Sequence, residues 1–168
     1  MTRIAKEATE MKGNRTKVTT PADREIRIER IFNASRGRVW KAHTDPTLLA
    51  QWWGRGNKLV IEVLQLERGG HWRFVEHTDD GGAHGFEGRY AEVTPQERIA
   101  FTFEWDGMPG HVSLVTITLE DLGDERTRLV ETMLFLTNDD RDGMLHSGME
   151  EGMEESLAAL DRVLAGMK

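Results

Sequence analysis

The apolar residues recur at two different intervals along the chain, and the change from one interval to the other divides it into elements. In "REIRIERIF" the apolar positions Ile26, Ile28 and Phe32 fall two or four apart, the pattern of a strand with one buried face. Ser35 then stands where a helix N-cap belongs, ahead of "RGRVWKAHT", in which Val39, Trp40 and His43 lie near one face. Asp45-Pro46 starts a second short helix, with Asp45 as cap and Pro46 at the first helical position, and Gly54 and Gly56 end it. Residues 58–136 read as continuous sheet. "KLVIEVLQLE", "HWRFVEH", "HGFEGRYAEVT", "RIAFTFEW", "HVSLVTITLED" and "TRLVETMLFL" are separated by turns such as "TDDGG", whose Asp-Gly supplies the positive φ a hairpin needs. With the opening strand this makes about seven strands, antiparallel because their connections are short.

The closing segment changes period. Over residues 139–165, Leu145, Met149, Met153, Leu157, Leu160 and Leu164 recur at spacings of three and four, and Glu150, Glu151, Glu154, Glu155 and Asp161 fall elsewhere. This reads as one long amphipathic helix, whose stripe must be buried against the sheet because no other apolar face matches its length. Residues 1–22 are polar, mixed in charge and without period, and read as a disordered leader to a domain over 23–168.

Trp52 and Trp53 are adjacent at the end of the second short helix. Consecutive helical positions point about 100° apart, so the two indoles cannot share a face. On the sheet, Ile99, Phe101, Phe103 and Trp105 alternate with Arg98, Ala100, Thr102 and Glu104, so the aromatic face looks inward. Trp72, Phe74 and Glu76 share a face of one strand, as do Phe86, Gly88 and Tyr90 of the next. An inward Glu76 is costly unless it meets a partner or a ligand; the simpler reading is that it lies close enough to the turn to reach water. Gly148 and Gly152 flank the helical stripe, where glycine permits either close approach to a neighbour or open space. Met144, Met149 and Met153 supply pliable walls, although methionines at this spacing also serve as ordinary core.

Composition narrows the functions. The chain has 168 residues, 38% hydrophobic and 30% charged, the mixture of a soluble globular domain. There are no cysteines, which excludes disulfides, thiolate metal sites and a cysteine nucleophile. A formal net charge of −7 disfavours phosphate-dominated nucleic-acid binding. No apolar run approaches the roughly 18 residues of a membrane span, and no secretory signal is visible, so a cytoplasmic address is expected. The histidines at 43, 71, 77, 84, 111 and 146 lack zinc-hydrolase spacing, and "GGAHGFEG" lies between strands rather than between strand and helix. No metal site, cofactor motif, nucleophile elbow or P-loop is read.

The order of strand, two short helices, six strands and long helix, together with "DPTLLAQWWG", "GGHWRF", "GRYAEVTPQERIAFTFEW" and "SGMEEGMEESLAALDRVLA", resembles the SRPBCC (START-like, helix-grip) superfamily. Within it, the likeness is to the branch named for the activator of Hsp90 ATPase, over about residues 24–164. The resemblance implies an α+β helix-grip fold: a curved antiparallel sheet wrapped around the C-terminal helix, with a cavity between them. It implies that Trp52 and Trp53 stand at the cavity entrance, one packing the short helices to the body and the other facing the pocket; the alternative is that both cap the core.

The candidate ligand-binding residues are accordingly Trp52, Trp53, Trp72, Phe74, Glu76, Phe86, Tyr90, Phe101, Phe103, Trp105, His146, Met149 and Met153. Three function classes follow. The first is a binding protein for a small hydrophobic molecule, and this reading is preferred. The second is an enzyme of the polyketide cyclase or dehydratase sort, with Glu76, Tyr90 or His146 as acid or base. The third is a regulator of an Hsp90-type chaperone ATPase, although the leader is too short to be the N-terminal domain that accompanies this module in eukaryotic activators. Pairing through an exposed strand edge would give a homodimer.

Overall fold

Alternation along the strands decides which face of the sheet is the inner one. The structure, a computed structural model, describes residues 15–167. Among them the order is β1 (Lys17–Thr19), β2 (Glu25–Phe32), α1 (Arg36–Thr44), α2 (Pro46–Trp52), β3 (Lys58–Leu64), β4 (His71–His77), β5 (Ala83–Thr94), β6 (Arg98–Trp105), β7 (Ser113–Gly123), β8 (Arg126–Phe135), α3 (Asn138–Leu145) and α4 (Met149–Gly166). The strands form one curved antiparallel sheet in the order β1-β2-β8-β7-β6-β5-β4-β3. In β2, Ile26, Ile28, Arg30 and Phe32 are all at most 1% exposed, and their face is the concave one, against which α4 lies. Val130, Thr132 and Leu134 of β8 point the other way and line a shallow trough on the convex face.

The predicted caps form. The Ser35 side chain accepts the Arg38 amide, and Asp45 accepts those of Thr47 and Leu48, which settles one of the amides the first short helix leaves free and two of those of the second. Arg38 then reaches Glu125 at 2.7 Å, and the Thr127 hydroxyl donates to the Ala34 carbonyl at 2.7 Å, so α1 closes the end of the sheet where β7 turns into β8. The C-terminal end of α4 arrives at the same place, where Arg38 donates to the Met167 carbonyl.

Two expectations need correction. Lys17–Thr19 is a strand paired with β2, inside the span read as a leader; three residues are too few for alternation to register. Residues 1–14 of that span lie outside the described residues. The helix expected over 139–165 is two helices. The backbone turns at His146, Ser147 and Gly148, and Gly148 has φ +83°, which glycine adopts without the clash a Cβ would bring. Met149, Leu157, Leu160 and Leu164 of α4 are buried, whereas α3 contains no fully buried residue.

A charged clamp fixes α4 to the sheet. Arg30, on the concave face of β2, donates to Glu154 at 3.1 Å and to Asp161 at 2.5 Å, two residues seven positions apart and therefore on one side of the helix. The same Arg30 reaches the Thr16 hydroxyl, and the Thr16 amide donates to Glu154, which ties the chain before β1 into the clamp.

Candidate functional site

The paired tryptophans separate as two consecutive helical positions must. Trp52 is buried, its Nε1 donates to the Ala42 carbonyl at 2.9 Å, and its ring lies 4.9 Å from that of His43. It fastens α2 to α1. Trp53 caps α2 in an extended conformation and turns its ring onto the sheet, edge-on to Phe74 at 5.4 Å and to Phe86 at 5.2 Å. Of the two, Trp53 alone faces the concave wall, and Trp52 packs the short helices together.

The wall that Trp53 meets is aromatic. Trp72 contacts Phe74, Phe101 and Phe103, Phe86 contacts Phe103, and Tyr90 lies edge-on to Phe101, at centroid separations of 5.0–6.1 Å. Gly88 makes this possible. The Trp72 indole crosses β5 above it to donate to the Thr102 carbonyl at 3.2 Å, and a Cβ on Gly88 would come within 2.8 Å of the indole nitrogen. Trp72, Phe74 and Tyr90 are sealed, and burial holds the Tyr90 phenol above its ordinary value. Phe86, Phe101, Phe103 and Trp105 also belong to the concave face, yet each keeps part of its surface accessible, as do Trp53, Met133, Met144 and Met153 around them. Met149 is buried beside them at the start of α4.

Glu76 does not reach water. It is 3% exposed, accepts from Asn57 Nδ2 at 2.5 Å, and has Arg55 Nη2 at 3.7 Å. The loop after Trp53 folds back to supply both partners, with Arg55 at φ +57°. The Arg55 amide donates to the Ser156 hydroxyl, and its side chain passes over Gly152, where a Cβ would stand 2.7 Å from Arg55 Cδ. Gly152 thus serves close approach rather than open space. His146, a candidate acid or base of the cavity, is exposed in the turn between α3 and α4.

One residue on this face was not among the candidates. Glu131 is central in β8, on the side of Leu129, Met133 and Phe135, with Ile28 of β2 and Ile117 of β7 directly opposite on either side. Among the described residues, no hydrogen bond or ion pair reaches its carboxylate, which is half-buried among aliphatic neighbours. Burial pushes the Glu131 carboxyl up to about 7 from an ordinary value of 4.5. The alternation in "RLVETMLF" already placed this glutamate in register with Leu129 and Phe135, and that signal could have found it. His43 is a further perturbed group inside the fold. Burial pushes its imidazole down to about 4, against the Val39 carbonyl that accepts from its Nδ1–H at 2.8 Å.

The described residues hold no group of three or more His, Asp or Glu side chains able to ligate a metal ion, and no helix among them is long and apolar enough to cross a membrane. The arrangement is an aromatic and methionine-rich concave wall, several of whose rings stay partly accessible, with one unpartnered, half-buried carboxyl in its aliphatic part.

Known proteins share the architecture. A Rhodobacter sphaeroides protein of solved structure matches with a TM-score of 0.84 and 27% identity over 92% of this chain and 100% of its own. One from Arthrobacter aurescens matches at 0.82 and 25% over 90% and 92%. DynU16, a protein in the dynemicin biosynthetic locus, matches at 0.66 and 26% over 86% of this chain and 48% of its own. A search of curated proteins finds no match. The family model described as activator of Hsp90 ATPase homolog 1-like protein matches residues 33–165, and with the helix-grip fold seen here it identifies the chain as a member of that family.

Proposed function

We propose that the protein binds a small hydrophobic molecule between the concave face of the sheet and the helices α3 and α4. The observation that carries this reading is the partial accessibility of Phe86, Phe101, Phe103 and Trp105, which alternation turns inward and which no side chain fully covers. Aromatic surface left open on an inner face is stabilised when an apolar ligand covers it, at roughly 25 cal/mol per Å². The occurrence of DynU16 in a biosynthetic locus is in keeping with a small-molecule role.

Titration with a panel of flat aromatics and fatty acids, followed by tryptophan fluorescence, tests the proposal. Saturable quenching or a blue shift by one chemical class, lost in Met153→Trp, is the expected result. Silence across the whole panel from folded protein would refute it and direct attention to protein partners, of which the family name suggests an Hsp90-type chaperone.

The enzymatic reading has one observation in its favour, the raised Glu131. A general acid or base also needs an oriented neighbour, and the three residues first considered lack the position: Glu76 is held by Asn57, Tyr90 is sealed beneath Phe101, and His146 faces solvent. Ligand binding without turnover is the reading the arrangement supports better.

A further inference from the structure

Glu131 is expensive where it stands. Its strand neighbours across the sheet are Ile28 and Ile117, its neighbours along the strand on the same face are Leu129 and Met133, and the next inward residue beyond Ile117 is Ile99. A structural carboxylate on such a face ordinarily meets an arginine or a backbone amide. The charged groups on the surrounding elements are engaged elsewhere. Arg30, diagonal to Glu131 on β2, is committed to Glu154 and Asp161 of α4 and to Thr16. Arg141 of α3 pairs with Asp142, and Asp140 pairs with His111. His43 of α1 uses its Nδ1–H on the Val39 carbonyl. β7 offers only Ser113, Val115, Ile117 and Leu119 on this face. Glu131 is nevertheless only half-buried, so protein does not seal its side chain completely.

Resting on the binding role proposed above, we infer that Glu131 is the polar anchor of the cavity and that the ligand is a hydrophobic amine, its ammonium group donating to the Glu131 carboxylate and its apolar body lying against Phe101, Phe103 and Met133. An acidic ligand would set like charges together in an apolar surround, and a purely hydrocarbon one would leave the carboxyl without a partner. An ammonium matches the carboxylate in charge and in hydrogen bonding. The net charge of −7 also favours the approach of a cation.

Three probes of nearly one shape separate the inference from the reading beneath it: naphthylmethylamine, naphthalenemethanol and naphthoate, each titrated by calorimetry at pH 6 and pH 8. The expected result is that the amine binds at least about tenfold more tightly than the alcohol at pH 8, that naphthoate binds weakest, and that the preference for the amine shrinks at pH 6 as the carboxylate takes up its proton. Glu131→Gln keeps shape and removes charge. It should bring amine and alcohol to within about threefold of each other and abolish the pH dependence, while Met153→Trp should weaken all three probes. Equal affinity of amine and alcohol in the parent protein, unchanged in Glu131→Gln, would overturn the anchor while leaving the hydrophobic site in place. Binding of none of the three would overturn the site itself. A melting temperature of Glu131→Gln equal to or above that of the parent confirms that any lost preference is not a loss of fold.

Discussion

The concave face has two halves, one built mainly on β2, β7 and β8 and the other mainly on β5 and β6, and they are filled in opposite ways. Beneath the C-terminal part of α4 and beside α1, Ile28, Phe32, Leu119, Leu129, Leu157, Leu160 and Leu164 leave almost nothing exposed, with values of 0–5%. Beneath α3 and the first turns of α4, Phe86, Phe101, Phe103, Trp105, Met133 and Met153 stay partly open. Aliphatic side chains in fixed rotamers interdigitate to crystal-like density, whereas large flat rings and flexible thioethers leave gaps unless something is shaped to fit them. The difference teaches that one half is closed core, while the other leaves aromatic and thioether surface partly accessible.

The comparison breaks first at its strongest points. Arg30→Ala should cost about 3–5 kcal/mol in urea unfolding, because Asp161 is left half-buried without its partner and α4 loses its clamp. Leu160→Ala should cost about 2–5 kcal/mol, and Met153→Ala less than half as much. If the two truncations cost the same, the halves are equally packed and the distinction fails.

A middle-sized effect comes from Glu131. Its folded value of about 7 lies above 4.5, so the native state holds the proton more tightly, and ionisation costs stability as pH rises through that window. Glu131→Gln should therefore stabilise the protein at pH 8 by on the order of 2–3 kcal/mol and change little at pH 4. His43 has the reverse sign. Its folded value of about 4 lies below 6.5, so stability falls as pH drops through that window. The two slopes oppose each other from 4.5 to 6.5, and the parent's melting temperature should be nearly flat there, while Glu131→Gln exposes the His43 slope. A Glu131→Gln profile parallel to the parent's would show that the carboxyl is solvated.

Smaller effects sharpen the contrast between neighbours. Trp52→Phe removes the bond to the Ala42 carbonyl and should cost about 1–3 kcal/mol without altering ligand response. Trp53→Phe should cost less than about 1 kcal/mol, yet remove most of the ligand-dependent fluorescence change. Gly152→Ala is the smallest. Its gain of up to about 1 kcal/mol in helix propensity is offset by the push on Arg55, and the melting temperature should barely move.

How far the sequence could be read follows from the range of the interactions involved. Strand alternation and caps are local, so β2, the two short helices, the hairpins and the inward rings of β6 were legible from "REIRIERIF", "SRGRVWKAHTDPTLLAQ" and "RIAFTFEW". Glu76 was misread because its partner Asn57 is 19 positions away in a loop whose return depends on Arg55 and Gly152. The continuity of the C-terminal helix was overestimated because the apolar stripe runs on through Gly148 without a gap, and only the backbone reveals the turn. Glu131 was overlooked although its phase was plain, since nothing local marks a carboxyl as lacking a partner.

The turn at Gly148 bears on rates as well as shape. Because α3 buries no residue completely and joins α4 through a glycine, lifting it sacrifices few apolar contacts and leaves the Arg30 clamp on α4 untouched. Under the proposed binding role, guest exchange would run through the opening of one short helix, on the timescale of local fluctuation rather than of global unfolding, and residence time and thermal stability would then answer to different residues.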